Sequence, residues 1–336
     1  MSDPSISIAM ATFNGAAFLA EQLDSFAAQT LLPDELVITD DGSTDATIEI
    51  LEQFAKRAPF AVRVHRNAER LGYSRNFEAA IARSAGDIVF LSDQDDVWFP
   101  DKLETVAARF EADERIQVVF NGQIVTDSEL KHSGVSMLDN VRRLGMTSDA
   151  LIEGCCTAFR KGWGEILLPI PAKAEELVRS LDLSHDRWLN ELSILLRVRI
   201  FVEQPLQYFR RYGGNATQWI GNAPRAVGLS NLITTRLRQA PAGAWLRRVQ
   251  ALDVYREWLT ANRSRLEEFG IDYVDDALQA LEQEKLSRAA RAALVHLPLG
   301  NRLPRIWRLW RRGGYKFFYG WKSALRDVTR SPELRR

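Results

Sequence analysis

Apolar and polar positions in the N-terminal part of the chain alternate between short apolar runs and longer stretches of helical period. Ser5 to Met10 reads as a strand that ends at the polar turn Thr12-Phe13-Asn14-Gly15. From Ala16 to Gln29 the apolar residues Phe18, Leu19, Leu23, Phe26 and Ala27 recur at helical spacing. Glu35 to Thr39 is a second strand, closed by Asp40-Asp41-Gly42-Ser43-Thr44-Asp45. Ser43 or Thr44 is placed to cap a helix whose apolar positions are Ile48, Ile50, Leu51 and Phe54. A third strand (Ala61 to His65), a third helix (Tyr73 to Ser84) and a fourth strand (Asp87 to Leu91) follow. Strands alternating with helices predict an α/β fold, a largely parallel sheet covered on both faces. Gln117 to Ile124 reads as a further strand, Leu151 to Phe159 as an apolar loop or strand, and Ser184 to Leu196 as a helix. Beyond about Thr217 long helical stretches rich in Arg, Ala, Leu and Trp take over. The expected division is residues 1–219 and 220–336.

Polar residues collect at the C-terminal ends of the strands: Thr12, Asp40, Asp41, and Asp93 to Asp96. Open α/β sheets bind ligands at that edge. Asp93-Gln94-Asp95-Asp96 directly follows the apolar run Ile88-Val89-Phe90-Leu91. Carboxylates packed this closely repel one another and are costly to desolvate. A divalent cation holding a diphosphate would offset that cost; a plain acidic turn is the alternative. On an extended segment Asp93 and Asp95 would face the same side.

The motifs, taken in order, resemble the family 2 glycosyltransferases, which have the GT-A fold. The resemblance is carried by Ile6-Ser7-Ile8-Ala9-Met10-Ala11-Thr12-Phe13-Asn14-Gly15, Thr39-Asp40-Asp41-Gly42-Ser43-Thr44-Asp45 and Leu71-Gly72-Tyr73-Ser74-Arg75-Asn76. It continues through Leu91-Ser92-Asp93-Gln94-Asp95-Asp96-Val97-Trp98, Gly154-Cys155-Cys156-Thr157-Ala158-Phe159 and His185-Asp186-Arg187-Trp188. Asp-Gln-Asp-Asp followed by Trp looks most like bacterial rhamnosyltransferase-type members of polysaccharide pathways. The resemblance implies a GT-A catalytic domain over residues 1–219 with a C-terminal helical extension. It implies inverting transfer of a sugar from a nucleoside diphosphate, dTDP-rhamnose or a UDP-sugar, to a glycan or lipid-linked acceptor.

By the same resemblance, Asp95 is the ligand of Mg²⁺ or Mn²⁺ and Asp93 contacts ribose or sugar. Asp40 and Asp41 help to read the base, Thr12 and Asn14 shape its pocket, and Arg75 approaches ribose or diphosphate. Inversion needs a base for the acceptor hydroxyl proton. Asp186 at the start of a helix is the candidate, with His185 as a positioning group and Trp188 beside the acceptor or in the core. One departure is Arg210-Arg211-Tyr212-Gly213-Gly214-Asn215, where tyrosine stands in place of a histidine that can reach the metal. Tyrosine is a poor Mg²⁺ ligand while neutral, so Arg210 or Arg211 is the alternative neutraliser of diphosphate. Two other readings stay open: a catalytically silent binder of sugar nucleotides or glycans, and a nucleotidyltransferase. The first loop lacks the Gly-rich, basic segment that the latter would usually show.

Charge sharpens the division of the chain. Residues 1–219 hold 22 basic and 33 acidic side chains, and residues 220–336 hold 22 and 11. The two adjacent cysteines, Cys155 and Cys156, are not expected to bridge. With neither a leader-like N-terminus nor an apolar run of membrane-spanning length, a cytoplasmic protein is expected. Asn301 to Arg312 reads as a helix with Pro304 in its first turn and Gly313-Gly314 as its stop. Leu303, Ile306, Trp307 and Trp310 share one face and Arg305, Arg308, Arg311 and Arg312 lie broadly opposite. Residues 301–322 are therefore expected either to touch an anionic membrane at its inner face or to pack on the catalytic body. A nucleic-acid partner is not expected.

Overall fold

The computed structural model describes residues 4–132, 134–144, 146–171, 183–213, 242–318 and 320–330. The described chain divides into two compact units, the first built from the N-terminal part together with residues from Ser184 onward, the second from the C-terminal helices. The sequence boundary at 219/220, and with it Gly214, Asn215 and Thr217, lies outside the described residues.

The first unit is an eight-stranded mixed sheet in the order β3-β2-β1-β4-β7-β6-β8-β5. Its strands are β1 (Ile6–Thr12), β2 (Glu35–Asp40), β3 (Ala61–Arg66), β4 (Ile88–Ser92), β5 (Val97–Trp98), β6 (Val118–Thr126), β7 (Thr157–Arg160) and β8 (Arg199–Arg210). β1 to β4 pair in parallel, β7 runs antiparallel to β4 and β6, and β8 runs parallel to β6. The helices are α1 (Leu19–Ala27), α2 (Thr47–Ala55), α3 (Tyr73–Arg83), α4 (Lys102–Ala112), α5 (Met137–Leu144), α6 (Lys161–Leu167) and α7 (His185–Leu195). β1, β2 and β4 are almost wholly buried, which is why they read as continuous apolar runs rather than alternating ones. The main core joins Ile8, Met10, Leu23, Phe26, Ile38, Phe54, Phe90, Trp98 and Phe110.

Two local expectations change. α2 is opened by Asp45, whose Oδ1 accepts from the Thr47 N–H at 3.0 Å, while the Ser43 hydroxyl donates to Asp40 instead. β8 was not anticipated from the sequence because its twelve residues include Pro205 and an irregular register against β6 around Gly122. A Cβ at Gly122 would lie 2.5 Å from the Glu203 carbonyl oxygen, so the bulge needs a glycine.

The second unit contains α8 (Ala242–Ala261), α9 (Arg263–Glu268), α10 (Val274–Leu294), α11 (Leu299–Arg311) and α12 (Trp321–Thr329). α8 packs along α10, and α11 and α12 close on each other. α11 starts two residues earlier than expected, so Pro304 sits inside the helix; Gly313, with φ of 68°, ends it as expected. The apolar residues of α11 do not form one buried face: Ile306 and Leu309 are buried, whereas Leu303, Trp307 and Trp310 are exposed.

Candidate functional site

Register brings the polar strand ends together. Thr12 is paired with Asp40 across β1 and β2, and Met10 with Ser92 across β1 and β4. The Thr12 hydroxyl donates to Asp40 Oδ2 at 2.9 Å, and Asp40 Oδ1 accepts from the Gly42 and Ser43 amides at 3.1 and 2.9 Å. Both residues are fully buried, so they shape the edge from beneath rather than line its surface. Asp41 is likewise committed, accepting from the Leu71 and Gly72 amides at 2.6 and 2.8 Å and from Asn67 at 3.2 Å. These bonds tie the β2 loop to the start of α3. Exposed Asn14, at φ of 49°, accepts from the Thr44 amide at 2.9 Å and so joins the first loop to the second. Arg75 is paired with Glu78 on its own helix.

The acidic segment does not run extended. Gln94 is clamped to the backbone of Phe13, accepting from its N–H at 2.9 Å and donating to its carbonyl at 3.1 Å. The chain bends there, and carboxylate oxygens of Asp93 and Asp96 approach each other and the Cys155 thiol to within 4.8 Å. Asp93 therefore has Asp96 as well as Asp95 for a charged neighbour. Asp96 is fully buried and accepts from Gln207 Nε2 at 3.0 Å and the Arg210 N–H at 3.2 Å, tying the loop to β8. Asp93 and Asp95 are half-buried. The Tyr212 hydroxyl donates to Asp95 Oδ2 at 2.8 Å.

Electrostatics follow from this crowding. Burial, then the charges of Asp95, Asp96 and Asp186, push the Asp93 carboxyl well above its usual range. Burial also raises Asp95, while Tyr212 and the nearby arginines pull it back. Asp96 is pushed up to about 7, chiefly by burial and then by Asp95. Such a set gains from a cation. Lys102, which is fully buried, supplies part of one: its Nζ donates to the Cys155 carbonyl at 2.9 Å and to Gln207, and it lies 3.8 Å from the centre of the Trp98 ring. Burial lowers Lys102 to about 8. Arg210 is not available to a ligand: it is buried, with its guanidinium on the Asp95 carbonyl at 2.9 Å and on Glu21 at 2.7 Å.

Oxygen donors of this kind suit Mg²⁺ or Mn²⁺. Cys155 and Cys156 are free and buried. The Cys155 thiol, raised well above its usual value by Cys156 and burial, stays protonated and is a poor partner for a hard cation. The residues present thus fit an oxygen-bound divalent ion.

Asp186 opens α7. Its Oδ1 accepts from the Arg187 amide at 2.8 Å and from the Ser184 hydroxyl; Oδ2 has no donor among the described residues. Gly154 makes room for this corner, since a Cβ there would lie 3.2 Å from His185 Nε2 and 3.4 Å from Asp186 Cβ. His185 is buried, stacked on Phe77 at 4.3 Å, with neither ring nitrogen hydrogen-bonded, and burial lowers its pKa. Of the two places expected for Trp188, beside the acceptor or in the core, it takes the core. It is fully buried and its indole donates to the Leu167 carbonyl at 2.9 Å, so it packs in the core and does not reach an acceptor. Sequence reading missed Glu153, which faces Asp186 and is pushed up to about 7 mainly by burial. It missed Lys102 and Gln207 as well; an unpatterned Lys or Gln gives no signal until the fold buries it.

The mixed sheet with its flanking helices has the GT-A class of fold, as its likeness to solved structures shows. The structure of Staphylococcus aureus TarS residues 1–349 with UDP-GlcNAc aligns with a TM-score of 0.50 and 17% identity, over 92% of each chain. The same protein with UDP gives 0.50 and 14%, over 96% of this chain and 89% of that one. Residues 7–163 match the model of the family described as Glycosyl transferase family 2. An uncharacterized glycosyltransferase of Nostoc sp. is 32% identical over 124 residues, 37% of this chain and 38% of that protein. The PGL/p-HBAD biosynthesis glycosyltransferase of Mycobacterium bovis is 31% identical over 141 residues, 42% of this chain and 55% of its own. The chain thus spans 38% and 55% of the lengths of these two relatives.

Proposed function

We propose that the protein is an inverting glycosyltransferase that moves a sugar from a nucleoside diphosphate to a hydroxyl of a glycan or lipid-linked acceptor. The observation that carries this reading is the convergence of Asp93, Asp95, Asp96 and Asp186 at one sheet edge within and beside the family-matched segment. Asp93 and Asp95 are the carboxylates a cation-bound diphosphate can reach, and Asp96 holds their loop to β8. A bound Mg²⁺ or Mn²⁺ would offset charge on the departing diphosphate. Asp186, fixed through Oδ1, presents Oδ2 to take the acceptor hydroxyl's proton. Thr12, Asn14, Asp40 and Asp41 fix the two loops that frame the base. Rhamnose on dTDP or a sugar on UDP is the proposed donor, and cell-surface polysaccharide the proposed setting.

The Tyr212–Asp95 bond favours a second reading, a binder of sugar nucleotides without turnover, because it occupies an oxygen that a metal would use. Asp186→Asn separates the two. It is expected to abolish sugar transfer and hydrolysis of the donor while titration calorimetry still shows donor binding. Near-normal turnover in the variant would sink the assignment of Asp186.

A further inference from the structure

The second unit carries an apolar strip that its own core does not use. α11 buries Arg302, Ile306 and Leu309, and Ile306 and Leu309 join Leu294 and Tyr315 in a small core. At about 100° per residue, Leu299, Leu303, Trp307 and Trp310 fall on the adjoining quarter of the helix. They are 50%, 45%, 62% and 43% exposed. On α12, Trp321 and Leu325 sit one turn apart and are 61% and 55% exposed. Residues 299–330 contain nine Lys and Arg and one acidic residue, Asp327. Asp327 is buried and already accepts from Arg291 at 2.8 and 3.1 Å and from Tyr315 at 2.9 Å. Arg305, Arg308, Arg311 and Arg312 are exposed and make no ion pair among the described residues.

We propose that this face of α11 and α12 docks on the surface of an anionic phospholipid bilayer. Rows of large apolar side chains exposed in this way mark an interaction surface. Tryptophan favours the headgroup region, where its ring is partly dehydrated and its N–H stays solvated. Arginines free of partners alongside such a strip match a negative surface. No described helix is long and apolar enough to cross a membrane, so the contact is lateral. A nucleic acid would satisfy the charge but gives no reason for Leu299, Leu303 and Leu325 to stand in water. The inference is independent of the transfer reaction and holds for any activity of the first unit.

Co-sedimentation of the full chain with vesicles tests it. Binding is expected to phosphatidylcholine vesicles containing phosphatidylglycerol, to fall with added salt, and to be absent for phosphatidylcholine alone. Tryptophan emission should move to shorter wavelength on binding. The exposed pair Trp307→Ser with Trp310→Ser, checked to melt as the parent does, should bind about tenfold more weakly or worse. Arg308→Glu with Arg311→Glu should do the same, and provides the test if the tryptophan pair does not fold. Undiminished binding by a folded variant, absence of binding to the mixed vesicles, or tighter retention by duplex DNA or RNA than by vesicles each overturns the proposal.

Discussion

Asp95 and Tyr212 are the residues on which the chemistry of the edge turns. The phenol proton is donated to Asp95 Oδ2, and burial with the neighbouring carboxylates keeps that phenol protonated far above neutral pH. If this bond competes with a cation, Tyr212→Phe should tighten Mn²⁺-dependent binding of a nucleoside diphosphate by up to about tenfold, the scale of one charge-assisted hydrogen bond. Titration calorimetry checks this, and weaker binding would instead make Tyr212 a positioning group for Asp95. Glu153 gives a pH test. Its folded pKa of about 7 lies above the ordinary glutamate value of 4.5, so the folded state holds the proton longer than the unfolded one. Its contribution to stability is therefore lost as pH rises from about 4.5 through about 7. Glu153→Gln should flatten the fall of melting temperature across that window and raise stability at pH 8. An unchanged slope would show that Glu153 titrates normally.

Among elements, the loops at the sheet edge were the most legible in sequence, because each follows a buried strand and carries its own turn chemistry. Asp40 and Asp41, expected to help read the base, also accept hydrogen bonds from Thr12, Ser43, Leu71 and Gly72. Sequence shows that a carboxylate sits in a loop, not whether its own backbone uses it up. The bend at Gln94 was equally hidden, since it depends on a clamp to Phe13, which is far away in sequence. Gly15 guards that clamp: a Cβ there would lie 2.3 Å from Gln94 Oε1. Gly15→Ala should displace the amide and the acidic loop with it, weakening cation-dependent nucleotide binding about tenfold while melting falls by only a few degrees. Parallel measurement of affinity and melting distinguishes this from general unfolding, in which both would collapse.

At the scale of the molecule, the βαβ rhythm up to β4 is readable because β1, β2 and β4 are buried and mostly apolar, β3 alternates apolar with polar residues, and the helices between them are amphipathic. β5 and β8 are not, being respectively two residues long and broken in register. Trp188 illustrates the same limit, for spacing alone could not tell an acceptor platform from core. What the fold adds is convergence: three carboxylates from one loop meet a fourth at the start of α7, with Lys102 buried beneath them. The central claim is that this edge binds a nucleoside diphosphate together with a divalent cation. Isothermal titration of UDP, dTDP and GDP into the full chain, with Mg²⁺, Mn²⁺ or a chelator, tests it most directly, with Asp93→Asn and Asp95→Asn as controls. The expected result is saturable binding of one nucleotide that requires the cation and is lost in both variants. Binding of equal strength in chelator, or binding untouched by either substitution, would contradict the account.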